Sequence, residues 1–474
     1  MGTRLVATAM VLGGVFGAMG TKAQAYEGSD REGRLAPPAT TDRRLDPDTD
    51  FYAPEPRAEA EAQIKKLFEA KKFADARKLI AMNNTAHAAW FSEGTPNDTK
   101  RAVHRTVTAA AHEEQVPVLV AYNLPFRDCS QYSAGGAADT AAYQAWIDGF
   151  AQGIGKAKAV VIVEPDGLGI IPYNTTINGT SDWCKPTVVD AAGHTVPAPG
   201  ATAEERYAQI NYAVDSLARH APRALVYLDG SNSNWLGVGE AAYRLIKAGV
   251  QRTQGFFLNV SNYQLTADSI QFGTWVSSAI AAPSGAPAWA FDGNGNFHFD
   301  WLPSQYDPAT NYTTVNYTPD FVATVTAGLQ GFMGSAVATT RFVIDTSRNG
   351  QGPLKVAPYA LPPYNQSSAI LSGLTSGNWC NPVGAGVGLR PSARTKVALL
   401  DAYLWIKVPG ESDGTCDSAG GARAWDYAAY NPWGITTEAQ THFDPLWGMV
   451  DPSAGAWFAA QALQLAQNAN PSLR

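Results

Sequence analysis

Five apolar runs in the chain each end on an aspartate. They are VPVLVAYNLPFRD (ending at Asp128), AVVIVEPD (Asp166), ALVYLD (Asp229), RFVID (Asp345) and AYLWIKVPGESD (Asp413). A sixth, GFFLNVSN, ends on Asn259 and Asn262. Unbroken Val/Ile/Leu/Tyr runs of this kind predict strands buried on both faces, as in a parallel sheet wrapped by helices. In such α/β folds the pocket forms where the strands' C-terminal ends meet. The pattern therefore aims several carboxylates at one pocket, the equipment for protonating a leaving group and activating water.

Helix signals alternate with these runs, which favours a barrel or an open parallel sheet. Residues 58–81 are helical by period and by Ala/Lys/Glu content. Helices are also expected over 98–114, 139–156 (closed by Gly155), 205–222, 239–250, 319–334 and 454–469. No internal repeat and no linker is visible, so residues 51–474 read as one domain. Residues 26–50 are polar and Pro-containing, and read as a disordered leader. Residues 1–25 read as a secretory signal, with Arg4, an apolar stretch and Ala23-Gln24-Ala25 as cleavage site. A secreted protein is the expectation, with no membrane anchor.

Three insertions interrupt the alternation, at 172–204, 293–320 and 417–453. Long irregular segments inside a compact domain are usually functional or disordered. These are rich in Trp, Tyr and Phe, which disorder avoids, so they are expected to wall a cleft. With 13 Trp and 19 Tyr the chain also has aromatic platforms to offer, although any single Trp more often packs in a core. Net charge is −7, without the basic stripe of a nucleic-acid binder. Four cysteines, Cys129, Cys184, Cys380 and Cys416, allow three pairings. The sequential one would brace the loops that carry the aspartates. No C-x-x-C and no clustered His point to a metal, and no cofactor is expected.

The blocks VAYNLPFRDCSQYSAGG (120–136) and VIVEPDGL (161–168) resemble the two signatures of glycoside hydrolase family 6, the cellulases. DGSNSNW, NVSNY, RFVIDTSRNG, NWCNP and WIKVPGESDG resemble further blocks of that family, in the same order. The resemblance covers nearly all of 51–474. It implies a distorted, incomplete parallel β/α barrel that hydrolyses β-1,4-glucosidic bonds of cellulose with inversion. A monomer is expected.

Carried over by motif, Asp166 is the general acid. Asp128 keeps it protonated and helps relay a proton from water. Asp229 supports the acid, and Asp413 shares the role of base with Asp128. Tyr122 matches the tyrosine that crowds the cleaved sugar. Trp90, Trp235 and Trp379 match stacking platforms; Asn259, Asn262, Lys407 and Glu411 match sugar contacts. Asp345 is left out of this set, as loop support or a partner for Arg348. Two positions depart from the family pattern. Asn232 stands where a His is frequent, and Ala134 where a Ser helps hold the catalytic water, with Ser133 beside it. An inverting hydrolase needs one raised carboxylic acid and a second carboxylate roughly 6.5–9.5 Å away, which strand ends of a barrel supply.

Loops set the mode of attack. The loop after Asp128 is short, as in open, endo-acting members. The first and third insertions are long, as in members that release cellobiose from chain ends. Two against one favours a cellobiohydrolase-like enzyme, with an open-cleft endoglucanase as the alternative. A non-catalytic glucan-binding protein on this fold would keep the Trp platforms and lose the acid; Asp166 and Asp128 argue against it.

Overall fold

The structure, a computed structural model, describes residues 44–473. The expected signal and most of the expected leader lie outside the described residues. Seven parallel strands form the central sheet: β1 (Ala89–Phe91), β2 (Val118–Ala121), β3 (Ala159–Val163), β6 (Ala224–Asp229), β7 (Gly255–Leu258), β8 (Arg341–Asp345) and β9 (Leu400–Leu404). A separate antiparallel hairpin, β4 (Thr187–Val189) with β5 (Thr195–Pro197), lies within the first insertion. The sheet runs β1-β2-β3-β6-β7-β8-β9, curled into a half-barrel. β1 and β9 do not pair as strands. The seam between them is bridged by Ala88 N–H to Trp405 O (2.9 Å) and by the Trp90 indole N–H to Ile406 O (2.8 Å).

The apolar runs follow from this architecture. Val118, Val120, Val160, Ile162, Leu225, Tyr227 and Val343 pack together in one core cluster. Their neighbours Leu119, Ala121, Val161, Val163, Leu228 and Ile344 join a second cluster with the surrounding helices. Side chains alternate between faces along each strand, and both faces here exclude water.

The helices fall largely where expected. Thr95 caps 96–112 by accepting from Asp98 N, Asp139 caps 140–154, and Thr202 with Glu205 forms a capping box on 203–220. Four differences stand out. The expected helix 58–81 is two, Ala58–Glu69 and Phe73–Asn83, broken at Lys71 with φ 58°. Leu79 and Met82 of the second pack with Leu465 of the C-terminal helix, and that packing sets its direction. The C-terminal helix starts at Ala459, not Ala454. Helices Thr266–Ala281 and Ser368–Ser376 were not among those expected. The end of the expected leader, 44–50, belongs to the domain: Leu45 is buried beside Phe51 and Val118. No described helix is long and apolar enough to cross a membrane.

Candidate active site

Left-handed backbone marks the strand ends. Asp128 and Cys129 after β2, Glu164 and Asp166 after β3, Ser231 after β6, and Asn259 and Ser261 after β7 all have positive φ. Such conformations cost of order 1–3 kcal/mol each in non-glycine residues and concentrate at functional sites. Here they surround a cleft of about 510 Å³. Trp90, Tyr122, Asp128, Asp166, Trp235, Asn262, Trp379, Lys407 and Asp413 all line it.

Asp166 faces the cleft, half-buried. Burial, then the charges of Asp229, Asp128 and Asp413, hold its carboxyl well above the ordinary range. No described residue hydrogen-bonds that carboxyl, which is open to the cleft. Asp128 accepts from Ser133 N at 2.7 Å, and burial pushes it up to about 6. Its loop is clamped by Arg127, which donates to Ser133 O, Ser92 O and Tyr122 O. Tyr122 sits edge-on to Trp90 at 5.3 Å, beneath the Arg127 guanidinium.

Asp413 offers two unlike oxygens. Oδ2 accepts from Arg348 Nη1 (2.9 Å), Tyr263 OH (3.0 Å) and Asn381 N (3.0 Å). Oδ1 has no described partner and is left for water. Lys407 Nζ donates to Ser412 O at 3.3 Å and lies 5.8 Å from the Trp90 ring. Both disulfides take the sequential pairing. Cys129–Cys184 joins the Asp128 loop to the first insertion, and Cys380–Cys416 braces the segment after Asp413. Tyr132 ties these regions together: its hydroxyl accepts from Asp417 N and donates to Asp417 Oδ1. Gly414 allows this approach, since a Cβ there would lie 2.3 Å from Tyr132 Cβ.

Three expected site residues do not line the cleft. Asp229 is buried, accepting from Leu168 N, Gly169 N and Ser231 N; it shapes the turn that follows Asp166. Asn259, expected to touch sugar, is instead fully buried: it donates to Asp345 O and accepts from Gln264 N. Glu411 sits behind Lys407, paired with Arg57 at 2.7 Å. Asp345 is loop support, accepting from the backbone N–H groups of Ser347, Ile406 and Lys407. The alternative ion pair with Arg348 does not form, because Arg348 is taken by Asp413.

Other cleft residues went unassigned from sequence. Trp183 comes from the first insertion, and Tyr306 and Thr313 from the second. Their aromatic-rich insertions were the available signal. The expected wall from the third insertion is absent: no residue of 417–453 lines the cleft. Its Trp425, Tyr430, Trp433 and Phe443 pack into an aromatic cluster with Tyr359 and Tyr364.

Burial also raises Glu164, to about 7; its Oε2 accepts from Asn123 N and Leu124 N, and Oε1 has no described partner. Acids raised on folding stabilise the protein fully below their unfolded pKa of about 4, and that contribution is lost as pH rises through the folded value. For Asp128 and Glu164 that window ends at about 6 and about 7. The melting temperature of Glu164→Gln relative to wild type should therefore climb from about pH 4 to about pH 7. A constant difference across that range would contradict a protonated Glu164.

The chain matches the family described as glycosyl hydrolases family 6 over residues 47–469. It is 31% identical over 345 residues to Endoglucanase 1 of Streptomyces halstedii, covering 73% of this chain and 76% of that one. It is 27% identical to the probable 1,4-beta-D-glucan cellobiohydrolase C of Aspergillus clavatus, covering 77% of this chain and 62% of that one. Among solved structures, it resembles the endoglucanase Cel6 of Mycobacterium tuberculosis, solved with a thio-linked cello-oligosaccharide, at 28% identity and TM-score 0.55. The alignment covers 90% of this chain and 99% of that one. The fold and cleft define a glycoside hydrolase with a carboxylate-lined site on a parallel half-barrel. The chain belongs to glycosyl hydrolase family 6, the cellulases, whose hydrolysis proceeds with inversion.

Proposed function

We propose that this enzyme is an exported endo-β-1,4-glucanase that cuts within cellulose chains lying in an open cleft. One observation carries the chemistry: Asp166 lines the cleft, its carboxyl pushed well above the ordinary range by burial and by the nearby carboxylates of Asp229, Asp128 and Asp413. Asp166 gives its proton to the glycosidic oxygen as the bond breaks. Water attacks the anomeric carbon from the opposite face and gives up a proton to Asp413 Oδ1 or, through a relay, to Asp128. The sugar leaves with inverted configuration. Tyr122 crowds the ring being cleaved; Trp90, Trp235 and Trp379 stack against sugar faces, and Lys407 and Asn262 bond hydroxyls. Asn232 contacts a neighbouring sugar. Export is assigned to residues 1–25.

Endo action is supported by the short loop after Asp128 and by the third insertion, which packs away from the cleft. That insertion was one of the two long loops favouring attack at chain ends. The second reading, release of cellobiose from chain ends, draws support from Trp183, Tyr306 and Thr313, which bring the other two insertions to the cleft. Carboxymethylcellulose separates them. Its viscosity should collapse early, with little cellobiose released. Slow thinning alongside steady cellobiose release would overturn the endo reading.

A further inference from the structure

The third insertion leaves the cleft but reaches its chemistry from behind. Asn381 stands between. Its backbone N–H donates to Asp413 Oδ2 (3.0 Å), its Oδ1 accepts from Asp413 N (2.9 Å), and its Nδ2 donates to Asp451 Oδ2 (2.9 Å). Asp451 faces Asp444, with carboxylate oxygens within 4.8 Å. Arg423 Nε reaches both oxygens of Asp444 at 3.0 Å, and its Nη2 donates to Asn381 O at 3.2 Å. Asp444 is fully buried, and Asp451 Oδ1 is buried with no described partner.

Two carboxylates against one guanidinium leave one negative charge buried, which is costly unless neutralised. A metal ion is a poor answer. The third nearby donor atom, the Cys416 sulfur, is locked in a disulfide, and Arg423 already holds Asp444. A proton fits. Carboxylates in contact share one because both cannot ionise. Burial, then the Asp444 charge, push Asp451 up to about 9. The charged groups around the pair are Arg423 on the same insertion and, beyond Asn381, Asp413 with its partner Arg348.

We propose that Asp451, sharing one proton with Asp444, is a positioning residue that fixes Asp413 through Asn381. The inference rests on the reading that Asp413 takes part in the reaction. With the proton in place, Asp451 holds the Asn381 amide, and Asn381 holds the Asp413 backbone and Oδ2. Without it, two carboxylates repel beside Asn381.

The test compares Asp451→Ala, Asp451→Asn and Asp413→Ala in the full-length enzyme. Asp451→Ala should lose about ten- to a hundredfold in kcat at unchanged KM, the scale of a small misplacement at a reacting group. Asp451→Asn should rescue kcat, because its amide accepts from Asn381 and donates to Asp444 as the protonated acid does. Its melting temperature relative to wild type should climb as pH rises to about 9, since only wild type loses a stabilising proton there. Wild-type kcat in Asp451→Ala would overturn the positioning role. Equal loss in the Ala and Asn variants, or a pH-independent stability difference, would overturn the shared proton. Wild-type activity in Asp413→Ala would sink the reading of Asp413 itself. The pH-stability comparison would still report separately on the Asp444–Asp451 proton.

Discussion

Asp166→Asn should lower kcat on cellulose about a thousandfold, within the range a positioned general acid supplies. A glucosyl 4-hydroxyl is a poor leaving group without a proton, and burial with the neighbouring carboxylates pushes the cleft-lining Asp166 carboxyl well above the ordinary range. Asparagine fills the same space but has no acidic proton. Binding should survive, because Trp235, Trp379 and Lys407 are untouched. The decisive comparison uses an aryl cellobioside with a strongly acidic phenol. That leaving group departs without help, so the loss on it should shrink to about tenfold or less. An equal loss on both substrates would mean that Asp166 acts by position or charge and not as an acid.

The second large effect is on stability. Asp413→Ala should cost about 3–5 kcal/mol, the usual penalty for leaving a buried ion unpaired. Arg348 is fully buried, stacks over Tyr263 at 4.4 Å and makes its ion pair with Asp413. Alanine would strand the guanidinium and the Tyr263 hydroxyl together. Asp413→Asn keeps an oxygen for both donors and should cost clearly less. Urea unfolding of the three proteins measures this. A loss below about 1 kcal/mol in the alanine variant would mean that water takes over the role of Asp413.

How much of this was legible in the sequence depended on whether one segment decided the outcome. The strands were readable because burial on both faces leaves an unbroken apolar run, and the aspartates because they sit at the strand ends (Asp229, Asp345) or in the loops just beyond them (Asp128, Asp166, Asp413). The capping box of Thr202 with Glu205 is local, yet the helix was expected to start only at Glu205, inside its observed start at Ala203. The break at Lys71 was not readable: EAKKFAD contains neither Gly nor Pro, and packing against the C-terminal helix sets it. The partner of Arg348 was not legible either, since Asp345 ends β8 and Asp413 lies in the loop after β9, and only the fold chooses between them. Asn259 misled because an amide beside a cleft and an amide beneath one have the same sequence signature. The third insertion misled for a similar reason: aromatic content cannot distinguish rings that meet sugar from rings that meet each other.

If Trp90 stacks on sugar as proposed, the seam of the half-barrel ties sugar affinity to architecture at a single residue. Trp90 presents its ring to the cleft and spends its indole N–H on Ile406 O, across the gap between β1 and β9. Phenylalanine or tyrosine would still offer a flat face, but neither has a donor at that place. Natural variation at this position is therefore not free to retune the grip on glucose alone. A lineage that drifts to another aromatic there must mend the barrel's seam elsewhere, so this subsite should diverge more slowly than platforms whose rings carry no such duty.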